Sequence, residues 1–255
     1  MNDVETAIRT LVVANRILGH EGVVDAFGHV SVRHPGNPAR YFLSRSRSPD
    51  LVVESDIMEF DLDSNPIEAC GRTMYAERAI HGCIYQARVD VTAVCHSHAH
   101  AMIPFTVTDT AMRPIWVMSA AIGDEVPIWD IRDDFPNEKA MLVVNNDLGR
   151  SLARTLGARR AALLRGHGAV IATASLKQTV LVSIGLMRNA ELLMQAHLLS
   201  FAQGASDRGK DHAVKFLNPG EIEFTTDVLF SPRGLERAWE YWKRRAGFDT
   251  DADNP

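Results

Sequence analysis

"AVCHSHAHAM", residues Ala93 to Met102, sets three histidines at every second position behind a short apolar run. In an extended chain successive side chains alternate between faces, so His96 and His98 point the same way, with Cβ atoms close enough to serve one ion. The stretch "VTAVCH" predicts a strand that ends at this pair, and two imidazoles on one face make half a metal site. The competing reading is a set of ordinary histidines satisfied by packing. A third nitrogen or oxygen ligand is needed to hold zinc, manganese, iron or nickel while one position stays open for substrate. His100 leaves the ligand face if the chain turns into a helix after His98.

Upstream, "YAERAIHGCIYQARV" has the pattern of a helix on which Glu77, His81 and Ile84, spaced by four and three, share one face. Because this helix directly precedes the strand, it can bring the Glu77 carboxylate to His96. An exposed helix glutamate in a chain with 32 acidic residues is the plainer alternative. Downstream, "AALLRGHGAVIAT" predicts a second strand with His167 between Gly166 and Gly168. Two glycines let the backbone approach another strand or a ligand closely, which makes His167 the candidate for the third ligand.

Farther out, Val4, Ala7, Ile8, Leu11, Val12 and Leu18 mark an opening amphipathic helix that Gly19 can end. Short β-rich pieces follow in "HVSVRH", "RYFLS" and "IMEFDLD". Residues Ser119 to Lys139, dense in Gly, Pro and Asp, read as a surface excursion around a site or a subunit contact. "NNDLGRSLARTLG" is a capped helix, and a long helix starts at Ser175 with a Ser175/Gln178 capping box and reaches about Ser200. After it a loop, a strand and a terminal helix through "RAWEYWKRR" are expected. With no repeat or linker, the economical reading is one α/β domain over residues 1–255, with 201–255 a tail packed on it or on a neighbouring subunit.

The 255 residues are 46% hydrophobic and carry a formal net charge of -5, with no dense Lys/Arg cluster before "WKRR". Nucleic acid is therefore not an expected partner. No basic start precedes an apolar block, and no apolar run approaches the roughly 18 residues of a membrane span, so a soluble, cytoplasmic protein is expected. Cys70, Cys83 and Cys95 match no paired zinc motif and fit a reducing compartment, as small core residues.

Taken together and in order, "FGHVSVR", "YAERAIHGCIYQ", "CHSHAHA" and "RGHGAV" resemble the class II aldolase/adducin family over roughly Val4 to Ser200. The resemblance implies a three-layer α/β/α sandwich around a largely antiparallel sheet, a C4 homotetramer with active sites at subunit interfaces, and one divalent ion, Mn2+ or Zn2+. On the matching motifs it implies His96, His98 and His167 as metal ligands, and Glu77 as a fourth ligand or the acid/base. His29 stands where sugar-phosphate aldolases usually carry Asn.

A second departure lies at "FLSRSRSPD". Sugar-phosphate members carry a glycine-containing phosphate turn here, whereas this chain has Ser44, Arg45, Ser46 and Arg47. Arginine offers a planar fork suited to a carboxylate, so a carboxylate substrate is expected, with surface ion pairing as the alternative. The chain is most similar to the branch that decarboxylates hydroxylated aromatic, pyridine or muconate-type acids, such as 3-hydroxy-2-methylpyridine-4,5-dicarboxylate 4-decarboxylase. The resemblance then gives these four residues to substrate binding, Glu77 or a nearby imidazole such as His29 or His81 to proton delivery, and Tyr241 to closing a neighbouring subunit's pocket, unless Tyr241 simply packs a terminal helix. The alternative is a metal-dependent aldolase or epimerase of a small hydroxy-carbonyl or sugar phosphate. An adducin-like binding module would lack the ligands that this chain keeps.

Overall fold

Short strands with apolar residues on both faces must be covered on both sides, and helices cover this sheet above and below. The computed structural model describes residues 3–206 and 213–248. In chain order it contains α1 (Asp3–His20), β1 (His29–Arg33), β2 (Arg40–Ser44), β3 (Ile57–Asp61), α2 (Ala79–Ala87), β4 (Ala93–Ser97) and a short α3 (Ile103–Thr106). There follow β5 (Ile128–Trp129), α4 (Ile131–Asp134), α5 (Asn146–Leu156), β6 (Ala161–Leu164), β7 (Gly168–Thr173), α6 (Leu176–Ser206), α7 (Pro219–Phe230) and α8 (Pro232–Arg245). The strands form one seven-stranded sheet in the order β3-β2-β1-β4-β7-β6-β5. Every pair is antiparallel except β5 with β6. The expected three-layer α/β sandwich is thus the observed fold.

Period-two alternation divides the core. Val30 and Val32 of β1, Ala93 and Cys95 of β4, and Ala169 and Ile171 of β7 face the layer of α1 and α6. Val94 of β4 and Val170 and Ala172 of β7 face α2 and α5, with Ile80, Ile84 and Leu152 packed on them. His29, Ser31 and His96 occupy the in-between positions of β1 and β4, and so point toward the α2 layer, where His29 lies directly opposite His96 in the register. One polar column therefore crosses an otherwise apolar face.

Several local expectations change. Helix α1 continues through Gly19 to His20, and Gly22, at φ 74°, takes the left-handed conformation instead. Glu77 lies in the turn before α2 rather than on it. "AALLRGHGAVIAT" is two antiparallel strands, not one, with His167 in the turn between β6 and β7. The Ser119–Lys139 excursion supplies β5, whose parallel pairing with β6 closes one edge of the sheet. After α6 come two helices and no strand among the described residues. Ser175 Oγ accepts from the Gln178 N–H at 3.2 Å, but Gln178 Oε1 accepts from Ala174 rather than Ser175, so the capping box is displaced by one residue. Cys83 and Cys95 are buried; Cys70 is exposed in a left-handed turn at φ 47°, so it is not a core residue. Among the described residues no helix is long and apolar enough to cross a membrane.

Candidate metal centre

β4 delivers His96 from inside the sheet and His98 from just past its end, and the β6–β7 turn delivers His167. Two glycines make this approach possible. Gly166 holds φ 61°, and a Cβ on Gly168 would stand 2.0 Å from the Ser97 carbonyl oxygen. One nitrogen from each of His96, His98 and His167 and one oxygen of Glu77 lie within 4.8 Å of one another. Glu77 Oε2 is 3.5 Å from His96 Nε2 and 3.4 Å from His167 Nε2, while His98 Nε2 is 3.0 Å from His167 Nε2.

Tautomers follow from the outer partners. The Ala169 carbonyl only accepts, so His96 Nδ1, at 3.1 Å from it, must carry the proton and His96 Nε2 a bare lone pair. Asp25, 3.1 Å from His98 Nδ1, fixes His98 the same way. His96 Nε2 is buried, makes no hydrogen bond among the described residues, and faces the Glu77 carboxylate, an acceptor opposite an acceptor. A divalent cation satisfies this arrangement, and three imidazoles with one carboxylate suit zinc or manganese.

Burial raises the Glu77 pKa, whereas protons on the facing His167 and His96 nitrogens, in the absence of an ion, lower it well below the usual range; a cation in their place favours the ionised carboxylate in the same way. The Val143 N–H donates to Glu77 Oε1 at 2.7 Å and anchors the carboxylate. Burial, reinforced by His96, lowers the His98 pKa, although Asp25 opposes this. Burial also lowers His29 well below its ordinary value and His81 to about 3, again reinforced by neighbouring histidines.

The cluster opens onto a cleft of about 640 Å³ lined by His29, Tyr75, Glu77, His98 and His167, and by Ser46 and Arg47. Of the four residues in the Ser/Arg segment, only these last two reach it. Ser44 is buried, with its hydroxyl 3.1 Å from the Tyr75 hydroxyl, and Arg45 is drawn to Asp56 at 2.6 Å. Asp56 also holds Arg47 Nη1 at 2.8 Å, which leaves Arg47 Nε and Nη2 without a partner among the described residues. Tyr241 is exposed on α8, which packs on α6 and α1, and it does not line its own chain's cleft. His100 is exposed in a short 3-10 turn outside the cluster.

Asp25, Tyr75 and Ser31 are site residues that sequence reasoning does not find. A local signal for Asp25 exists in "DAFGH", where its carboxylate accepts from the N–H groups of Phe27 and Gly28, a side-chain turn that aims it at His98. Tyr75, whose hydroxyl also donates to the Arg47 carbonyl, and Ser31 carry no such signal.

A family model described as "Class II Aldolase and Adducin N-terminal domain" matches residues 9–194. The chain is 33% identical over 249 residues to a protein named decarboxylase tropJ from Talaromyces stipitatus, covering 93% of this chain and 92% of that protein. It is 30% identical over 200 residues to a 3,4-dihydroxyphthalate decarboxylase from Arthrobacter keyseri, covering 74% and 78% respectively. Among solved structures, an L-fuculose 1-phosphate aldolase from Glaciozyma antarctica superposes with a TM-score of 0.73 at 20% identity, over 96% of this chain and 89% of that one.

Proposed function

This chain belongs to the class II aldolase and adducin family, and we propose that within it the protein is a divalent-metal-dependent carbon–carbon lyase that decarboxylates a hydroxylated aromatic or pyridine (di)carboxylic acid, or a related muconate-type acid. The observation that carries this reading is the pairing of a three-histidine, one-carboxylate cluster with Arg47 across the same cleft. The names of the relatives from Talaromyces and Arthrobacter support it. A sugar-phosphate aldolase is the second reading, favoured by the relatives named L-fuculose phosphate aldolase. It must account for a cleft wall bearing arginine and no glycine turn.

His96, His98, His167 and Glu77 would hold one ion, Mn2+ or Zn2+. Bound there, it supplies Lewis-acid stabilisation of the negative charge that spreads onto a neighbouring substrate oxygen as CO2 leaves. Arg47, steadied by Asp56 and lining the cleft, has two nitrogens left to grip a second, non-reacting carboxylate, which would select the carboxylate that departs. Ser46 adds a hydroxyl on the same wall. Bound to the cation, Glu77 would be held ionised and would be a poor acid, so the proton for the vacated carbon would come from solvent at the open cleft mouth.

We read residues 1–255 as one domain, supported by the single sheet with helices on both faces. Exposed Phe27, Val107, Leu142 and Val144 near the cleft support burial of its rim in a homotetramer, where Tyr241 of another copy would close it. Three unpaired cysteines support a cytoplasmic location.

The test is CO2 release by protein reconstituted with Mn2+ or Zn2+, across ortho-hydroxy aromatic and pyridine dicarboxylates, with sugar phosphates followed in parallel for aldehyde. Metal-dependent CO2 from one acid is the expected result. Aldehyde without CO2 would overturn it in favour of the aldolase reading.

A further inference from the structure

Behind the cleft wall, buried polar groups form a line that the metal cluster does not use. His29 Nδ1 is 2.7 Å from His81 Nε2, His81 Nδ1 is 2.6 Å from Ser31 Oγ, and Ser31 Oγ is 2.8 Å from the Tyr85 hydroxyl. All four residues are at most 1% exposed. The line begins at His29, which lines the cleft, and ends at Tyr85 on the buried face of α2.

Such a chain could run in either direction, and its inner end decides which. The Tyr85 hydroxyl carries one proton, and its other acceptor, the Thr92 carbonyl, is 3.5 Å away, too far for a strong O–H···O bond. Tyr85 therefore donates to Ser31, and Ser31, with its own single proton, donates to His81 Nδ1. His81 then carries its proton on Nε2 and donates to His29 Nδ1. A neutral His29 is left with its proton on Nε2, which has no protein partner among the described residues.

We infer that Tyr85, Ser31 and His81 are positioning residues that fix His29 in the Nε2–H tautomer, so that His29 offers a neutral hydrogen-bond donor to an anionic oxygen of the substrate. Both imidazoles are buried away from water, which disfavours a charged ring and leaves each with a single proton. The catalytic role of His29 rests on the decarboxylase reading above. His29 so held is a donor and not a proton source. Surrendering its proton would create an imidazolate, or a tyrosinate at the far end, where burial has pushed the Tyr85 hydroxyl well above its ordinary value. A donor aimed at the oxygen where charge develops lowers the barrier without changing its own protonation. The proton-delivery role expected for His29 is replaced by this one.

Solid-state NMR of zinc-loaded protein carrying 15N-histidine reads the tautomers without substrate. His29→Asn and His81→Asn variants assign the two rings. The inference expects both wild-type rings neutral with Nδ1 unprotonated. Tyr85→Phe, which removes only the terminal donor, should give mixed tautomers at His29 and lower kcat about tenfold, the scale of one hydrogen bond, with KM and zinc content unchanged. A wild-type His29 protonated at Nδ1 would overturn the inference, as would a Tyr85→Phe protein whose tautomers and kcat match wild type. If no acid in the panel releases CO2, the function proposed above fails, while the tautomer result stands or falls by itself.

Discussion

Five histidines crowd the cleft end of the sheet, and they form two sets with opposite chemistry. In the first, His96 and His98 each spend Nδ1 on an oxygen acceptor, and their Nε2 lone pairs converge with His167 beside an ionised carboxylate. In the second, His29 and His81 face one another nitrogen to nitrogen and close a hydrogen-bonded line that ends on a hydroxyl. The sets touch, since the His29 and His96 ring centroids are 5.1 Å apart. For four of the five, the role is set less by depth than by what the second nitrogen meets; His167 Nδ1 has no partner among the described residues, and its place comes from the β6–β7 turn. A carbonyl or carboxylate there prepares the ring to receive a cation, and a hydroxyl or another imidazole prepares it to pass on a donor.

The division can be broken most forcefully in the first set. His98→Ala should abolish binding of the ion and turnover together, with a rate loss on the order of a thousandfold or more. Full activity with metal retained, read by elemental analysis beside the CO2 assay, would remove His98 from the ligand set.

One step outward, Asp25→Ala leaves all four ligands in place but frees the His98 ring. Metal affinity, measured by competition with a chelator, should fall roughly 10- to 100-fold. An unchanged affinity would mean that Asp25 is only a turn residue.

The second set should announce itself in acid. His81 has a folded pKa of about 3, below its ordinary 6.5, because burial and then His96 disfavour its charge. Its contribution to stability is therefore complete above about pH 6.5 and is lost as pH falls toward 3, at about 1.4 kcal/mol per pH unit. Denaturant titrations between pH 6.5 and 4 should give a flatter profile for His81→Asn than for wild type. Equal slopes would show that His81 does not enter the fold uncharged.

The smallest effect belongs to Arg47, which lines the same cleft. Arg47→Ala should raise KM about fivefold, the ~1 kcal/mol of a partly exposed charge contact, and leave kcat nearly unchanged. A fall in kcat with constant KM would move Arg47 from gripping the substrate to assisting the chemical step.

Much of this was legible in the chain. Alternation in "VTAVCHSH" put His96 on a definite face, the flanking glycines marked the tight approach of His167, and the order of four motifs carried the family. These are local consequences of strand geometry and of the missing Cβ, which need no partner to be read. The same reasoning took Glu77 as a helix residue sharing a face with His81. In the structure the preceding turn aims Glu77 at the ligands, and α2 buries His81 behind His29.

Only the tertiary structure could separate the two histidine sets, because the deciding partners come from far along the chain. Ala169 meets His96 across the β4–β7 pairing, Asp25 reaches His98 from the loop before β1, and Ser31 meets His81 where β1 lies under α2. It likewise divided the "SRSRS" segment, since Asp56 ties one nitrogen of Arg45 and one of Arg47, and of the two only Arg47 lines the cleft. Residue type supplied the chemistry available to each position. A histidine's tautomer and an arginine's free nitrogens depend on which acceptor is within about 3 Å, and that distance is fixed by strand register and packing rather than by neighbours in sequence.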